Sequence, residues 1–288
     1  MRHRSLFLAS LAALCAAPAA AQDSPVGKLD RAVTNVIGED ARLIVGGGVG
    51  AITQPYVGAD DVQYIPEPLI IYQRDRFEFI GRTVGWELYE QDGFDLTAIG
   101  EWRFFGHDAG DDSPFLAGMD KRKGTGELGL RAAYDTERFG ASLTGKADAL
   151  SRHGGYEIQA RMSYELSTWR PLSVRPNGGI RYQSDSLTDY YFGVDPEEAL
   201  GVACVSIGPD CPLAIRPAYE VDDAITPFVG VTARQSVSPK WAVVGGFDLN
   251  FLPDTVTESP IVRDDTQLFA FAGLIYVFGN AEAAGAGH

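Results

Sequence analysis

The 288-residue chain carries 39 Asp and Glu against 24 Lys and Arg, a formal charge of −15. That acidity excludes nucleic acid as a partner, because binding a phosphate backbone depends on Lys and Arg. At 45% hydrophobic residues the chain has ample apolar surface to bury, which excludes an intrinsically disordered class.

The chain starts MRHRSLFLASLAALCAAPAAAQ, with a basic start, an apolar run from Leu6 to Ala17 and small residues at Ala19, Ala20 and Ala21. Residues 1–21 therefore read as a secretory signal peptide, and losing Arg2 and Arg4 with it makes the mature chain more acidic by two charges. Cys15 follows Leu14, where lipoprotein processing wants a small residue, so it goes with the leader. Residues 22–41 are expected to form an N-terminal periplasmic segment. No later stretch offers the roughly eighteen uninterrupted apolar residues of a membrane helix.

Strand patterning begins near residue 42. Segments 42–53, 62–72, 76–88, 94–105, 124–135, 138–149, 156–167, 172–184, 225–236, 240–252 and 267–278 all read as strands. The stretch YEIQARMSYEL, Tyr156 to Leu166, is the clearest example. Tyr156, Ile158, Ala160, Met162, Tyr164 and Leu166 alternate with Glu157, Gln159, Arg161, Ser163 and Glu165. A period of two places these sets on opposite faces of one strand. A β-sandwich also alternates, but its strands are nearer five or six residues, whereas a tilted bilayer-spanning strand needs about 9–11.

The pattern recurs with mixed charges on the polar face and aromatic residues near the ends of the apolar face, as a transmembrane β-barrel requires. The charges expected in the lumen are Glu101, Arg103, Glu127, Arg131, Lys146, Glu157, Arg161, Glu165, Arg181, Arg234 and Asp248. Mixed sign favours pairing across a narrow interior over a strongly selective pore. The fold expected is an all-β, antiparallel up-and-down transmembrane barrel over residues 42–278, with a flexible tail at 279–288. Single-chain bacterial barrels have even strand counts, so eleven segments imply twelve strands, the ambiguity lying near Phe77 to Trp86 where the apolar phase shifts. Connectors at 136–137, 168–171 and 237–239 are short enough for periplasmic turns, and those at 106–123, 185–224 and 253–266 are long extracellular loops. Phe271, Gly273, Tyr276 and Phe278 resemble the terminal-strand signal read by outer-membrane barrel assembly machinery, although ten residues follow.

Within the longest loop, Cys204 and Cys211 lie in an exported Gly- and Pro-rich segment. They read as a loop disulfide or as two free thiols, and no metal partners accompany them. Catalytic signals are weak. His107 sits beside Asp108, Asp111 and Asp112 without the ordered spacing of a calcium loop, and His153 lies in a Gly-rich turn with Ser151 too near to act as its nucleophile. No cofactor motif is present: Gly46 to Gly50 falls inside a strand rather than between a strand and a helix. The chain is therefore read as a non-enzyme without a cofactor or metal.

Five stretches in order, GVGAITQPYVGADD, PEPLIIY, LAGMDKRKGT, YYFGVDPEEA and ESPIV, resemble the MltA-interacting protein (MipA/OmpV) family of Gram-negative outer-membrane proteins. The resemblance implies a small outer-membrane barrel that contacts lipid and lipopolysaccharide. It also implies a scaffold linking a lytic transglycosylase to a murein synthase, with a narrow solute channel or a surface adhesin as the alternatives. The best-matching loop suggests partner contacts at Tyr190, Tyr191, Phe192 and Asp195, with Asp195 capping a short helix from Pro196. Lys121 and Arg122, in the most basic run of the chain, suggest contacts with phosphates or an acidic partner.

Overall fold

The computed structural model describes residues 25–37, 41–59, 62–106, 113–169, 171–204 and 213–279. The leader, the sequence around His107 and most of the tail lie outside these residues, as do Cys211 and the Cys204 side chain. Helix α1, Pro25–Ile37, precedes the strands β1 Arg42–Thr53, β2 Val62–Arg74, β3 Phe77–Ile80, β4 Thr83–Gln91 and β5 Phe94–Arg103. The wall continues through β6 Thr125–Asp135, β7 Phe139–Asp148, β8 Tyr156–Tyr164, β9 Leu166–Trp169 and β10 Leu172–Gln183. Outside it lie α2, Asp185–Phe192, and the hairpin β11 Leu200–Cys204 with β12 Leu213–Arg216. The chain then re-enters as β13 Ala224–Ser236 and β14 Trp241–Phe251, forms the single turn α3 Asp254–Thr257, and ends in β15 Thr266–Phe278.

Every neighbouring pair is antiparallel, and the ring closes where β15 meets β1, with Val49 opposite Ala272. Between β8 and β13 the wall is carried by β10, with Ile180 opposite Pro227. β9 continues β8 after a break at Glu165, so the closed wall holds twelve strand positions. The ambiguous segment 76–88 is two strands, β3 and β4, joined by a turn at Gly81 and Arg82. Gly81 has φ +59, a left-handed conformation that glycine adopts without steric cost. Asp92 and Gly93, both at positive φ, make the two-residue turn from β4 to β5.

Alternation sorts the side chains as the barrel demands. On β8, Ile158 and Met162 face outward while Glu157 is buried inside. Leu128, Leu130, Ile180 and Val49 project from other strands, forming the outward belt that lipid covers in such a fold. Closure matters in lipid because no water is present to satisfy a free strand edge.

Two apolar clusters occupy the ends. Outside, four loops pack into one core that includes Tyr56, Phe115, Leu116, Leu187, Tyr191 and Ile261. These residues come from loops attached around the whole ring, so the core forms a cap over the extracellular mouth. Arg216 is buried in it and donates to the carbonyls of Phe115, Ala117 and Glu198. Burial lowers its pKa against the opposing pull of the Glu198 carboxylate, and its hydrogen bonds to these carbonyls tie the β5–β6 loop to the β10–β13 loop. At the periplasmic end, Ile44, Ala242, Ile275 and Val277 pack with Leu69, Ile71 and Val244 on one side of the lumen.

Candidate functional site: a charged chamber beneath the cap

Between the clusters lies a chamber of about 1520 Å³. Its charged wall is built on β5 to β10, where lumen-facing positions recur every second residue. Arg103 Nε donates to Glu127 Oε1 at 2.7 Å and its Nη2 to Glu157 Oε2 at 2.8 Å. Lys146 lies 3.1 Å from Glu127, 3.2 Å from Glu101 and 3.7 Å from Glu157. Arg181 approaches Glu157 at 3.6 Å and donates to Gln159 and Asn250. One connected network thus draws on β5, β6, β7, β8 and β10. Buried charges carry a large desolvation cost, which mutual pairing offsets.

Other expected lumen charges form separate groups. Arg131 pairs with Glu78 at 2.8 Å and lies 3.8 Å from Asp95. Arg161 donates to Asn177 at 2.9 Å, lies 3.8 Å from Asp248 and sits over the Phe228 ring at 4.7 Å. Glu165, near the periplasmic end, pairs with Arg175 and accepts from Ser173 at 2.6 Å. Arg234 lies further along the wall on β13, opposite Ser173 and Val244, away from the main network.

His153 joins the network, which its Gly-rich turn does not suggest. Asp148 Oδ2 accepts the backbone N–H groups of Arg152, His153 and Gly154, curling the loop inward. The buried His153 Nδ1 then accepts from Gly155 N, and Nε2 faces Glu127 at 3.7 Å. With Nδ1 as the acceptor, Nε2 carries the proton and points it at the carboxylate. Glu67, Glu78, Arg82 and Arg175 also belong to lumen pairs; for the first three, the phase shift and prolines around β2 and β3 mask their facing in the sequence.

The expected loop contacts are used differently. Tyr191 and Phe192 lie in α2 and are buried in the cap, and burial pushes the Tyr191 hydroxyl pKa up. Arg122 is buried too, held by Glu198 at 2.7 Å and stacked near Tyr190. Tyr190 OH accepts from Lys123 N, while Lys121 stays exposed. The helix expected from Pro196 is a turn: Glu198 N donates to Asp195 O, and Glu198 Oε2 accepts from Asp195 N. The carboxylate of Glu198 takes over the local capping and commits this motif to holding the cap together. Among the described residues there is no group of acidic, His and Cys side chains able to hold a metal ion.

α1 lies at the periplasmic rim. Its Asp30 pairs with Lys240 in the β13–β14 turn and accepts from Gly279 N at 3.2 Å. Arg74, at the end of β2, donates to Ile37 O at 3.2 Å. Val26, Leu29, Val33 and Val36 recur at helical spacing, and Val36 is 84% exposed.

The family model described as "MltA-interacting protein MipA" matches residues 45–278. The MltA-interacting protein of Escherichia coli (strain K12) is 27% identical over 256 residues, covering 88% of this chain and 97% of its own. The putative outer membrane protein YiaT of the same organism is 26% identical, covering 80% and 88%. Among solved structures, an anion-selective porin from Comamonas acidovorans matches 83% of this chain and 98% of its own, at 7% identity and a TM-score of 0.33. The match from β1 to the last residue of β15 and the closed twelve-position wall coincide: this chain belongs to the MltA-interacting protein family of outer-membrane β-barrels.

Proposed function

We propose that the protein is a non-enzymatic outer-membrane scaffold that docks a periplasmic murein-remodelling enzyme, a lytic transglycosylase in the first instance, through helix α1. The observation that carries this reading is an amphipathic helix tied to the barrel by its polar face while its apolar stripe stays exposed. Leu29 is 55% and Val26 46% exposed, whereas Asp30 is buried against the rim. The periplasmic turns described here are too short to form a docking surface, which leaves α1, among the described residues, as the element with an unused apolar face. The name of the Escherichia coli relative supports the choice of partner. Aromatic or aliphatic anchors at the centre of an interface supply most of its binding energy, and Leu29 and Val36 have that character.

The test is photocrosslinking in intact cells from residue 29 or 36, with identification of the adduct. A crosslink to a lytic transglycosylase that disappears in the Leu29→Glu/Val36→Glu double variant is the expected result. Adducts to lipid alone, with the barrel correctly folded, would overturn the assignment. A second reading, passage of a small solute, is favoured by the 1520 Å³ chamber. An adhesin reading would rest on the long outer loops, whose aromatics Tyr191 and Phe192 are buried in the cap.

A further inference from the structure

The wall of the barrel is incomplete beside β2. β3 pairs only with the last four residues of β2, Ile71 to Arg74, and Gly81 N adds one bond to Ile70 O. Among the described residues no strand pairs with β2 from Val62 to Leu69 on that side, although β1 pairs with all of it on the other. Counting outward from Arg74, the 9–11 residues of a bilayer span end between Pro66 and Tyr64. The unpaired stretch therefore includes the outer part of the span.

An open edge in lipid normally fails because each free N–H is left without a partner. Here the sequence removes two of the donors. Ile70 O points toward β3, and a residue's N–H and C=O point the same way, alternating along the strand, so residues 66 and 68 also face the gap. Both are proline, which has no N–H, and proline in a strand belongs at edges. PEPL is the sequence of an edge strand placed inside a closed wall.

The gap has defined margins. Its floor is the Gly81–Arg82 hairpin tip, and its far side is the end of β5, where Trp102 and Phe104 are 45% and 63% exposed. Arg82 spans it: Nη2 lies 3.2 Å from Glu67 of β2, and the guanidinium sits 4.6 Å over the Phe104 ring. The chamber reaches this opening, since Pro66, Glu67, Pro68, Arg82, Trp102 and Phe104 all line it.

The chamber itself has two kinds of wall. Near the gap, Gly46, Gly48, Ile65 and Phe269 offer a smooth apolar surface. Across it, Arg161 and Arg181 both lie over Phe228, at 4.7 and 5.5 Å. Six of the nine charged side chains that line the chamber are Arg or Lys, in a chain whose overall charge is −15. Guanidinium groups are suited to paired hydrogen bonds with a carboxylate.

We infer that this gap is a lateral portal through which an anionic amphiphile, a carboxylate with an acyl tail, passes between the outer leaflet and the chamber. The tail crosses between Pro66, Pro68 and the Trp102–Phe104 lip, and the carboxylate reaches Arg161 and Arg181. Arg82 is the clasp: its pair with Glu67 closes the opening, and releasing that pair widens it. A smaller cavity of about 220 Å³ on the periplasmic side is lined in part by Arg131 and Arg161, which also line the chamber. The inference stands on the wall of the barrel and does not depend on what α1 docks.

The test uses the full-length protein in vesicles of phosphatidylethanolamine and phosphatidylglycerol, with a palmitic acid carrying a diazirine in its chain as the probe. After irradiation, labelled residues are mapped by mass spectrometry. Expected are adducts on chamber-facing residues such as Gln159 and Thr144 that decanoate competes away. They should fall about tenfold in Thr83→Trp, which fills the portal while leaving the Arg82–Glu67 pair in place, and form faster in Arg82→Gln. Thr83→Phe is used if Thr83→Trp does not give a heat-modifiable folded band. Adducts confined to outward residues such as Leu128 and Leu274 would overturn the portal. Chamber adducts that are unchanged by the filling variant would overturn it equally, because the probe would then be entering along the barrel axis.

Discussion

The two halves of the chamber wall are held together by different physics. From β5 to β10 the lumen positions are charged, and their side chains reach across several strands to pair, as Arg103 of β5 does with Glu157 of β8. From β14 through β15 to β1 the same positions hold Val244, Gly246, Phe269, Gly273, Gly46 and Gly48, and the backbones pack with little side chain between them. The charged half fills space with long, mutually neutralising side chains. The glycine half leaves space, and the chamber lies between the two. A barrel of this size therefore gets its cavity from where glycine falls in the sequence, not from its strand count alone.

That contrast can be broken from either side. The largest effect is expected from Glu157→Ala, which strips a shared carboxylate from Arg103, Lys146 and Arg181. Removing one partner of a buried pair costs about 3–5 kcal/mol, to be read as lower denaturant stability of the heat-modifiable band. Met162→Arg puts a charge on the outward face of β8 and should cost about 2–4 kcal/mol near the bilayer midplane. On the glycine side, a Cβ at residue 46 would lie 2.7 Å from Ile275 Cγ2 and 2.2 Å from the Leu274 carbonyl oxygen. Gly46→Val should thus cost about 1–3 kcal/mol by overpacking and shrink the chamber. The smallest effect on stability belongs to Arg82→Gln: the Arg82–Glu67 pair is partly exposed, so its loss should cost at most about 1 kcal/mol. Equal losses from Glu157→Ala and Arg82→Gln would mean that the charged half is not the mechanical support of the wall.

Much of this was legible from residues alone. The alternation in YEIQARMSYEL places Glu157 inside and Met162 outside, because a strand has only two faces and lipid admits one kind of residue. The turn at Gly81 was harder, since β3 and β4 together are short enough to read as one strand with a phase shift. His153 was not legible as part of the charge network. Its position depends on Asp148 gathering three backbone N–H groups, a local three-dimensional event with no periodic signature. The cap was missed for a related reason: Tyr56, Phe115, Tyr191 and Ile261 are far apart in sequence and show no common pattern until four loops meet. Pro66 and Pro68 stood in plain view as part of the family resemblance, but their meaning needed the direction of the Ile70 carbonyl.

The most direct measurement is single-channel conductance of the intact, refolded protein in a planar bilayer. The cap core covers the outer mouth, and beneath it the Arg161–Asp248 and Arg103–Glu157 contacts link strands three positions apart along the wall. No steady ion current is expected, in keeping with a docking barrel whose chamber does not open along its axis. A steady, salt-dependent conductance from the intact protein would contradict that and make axial solute passage its function.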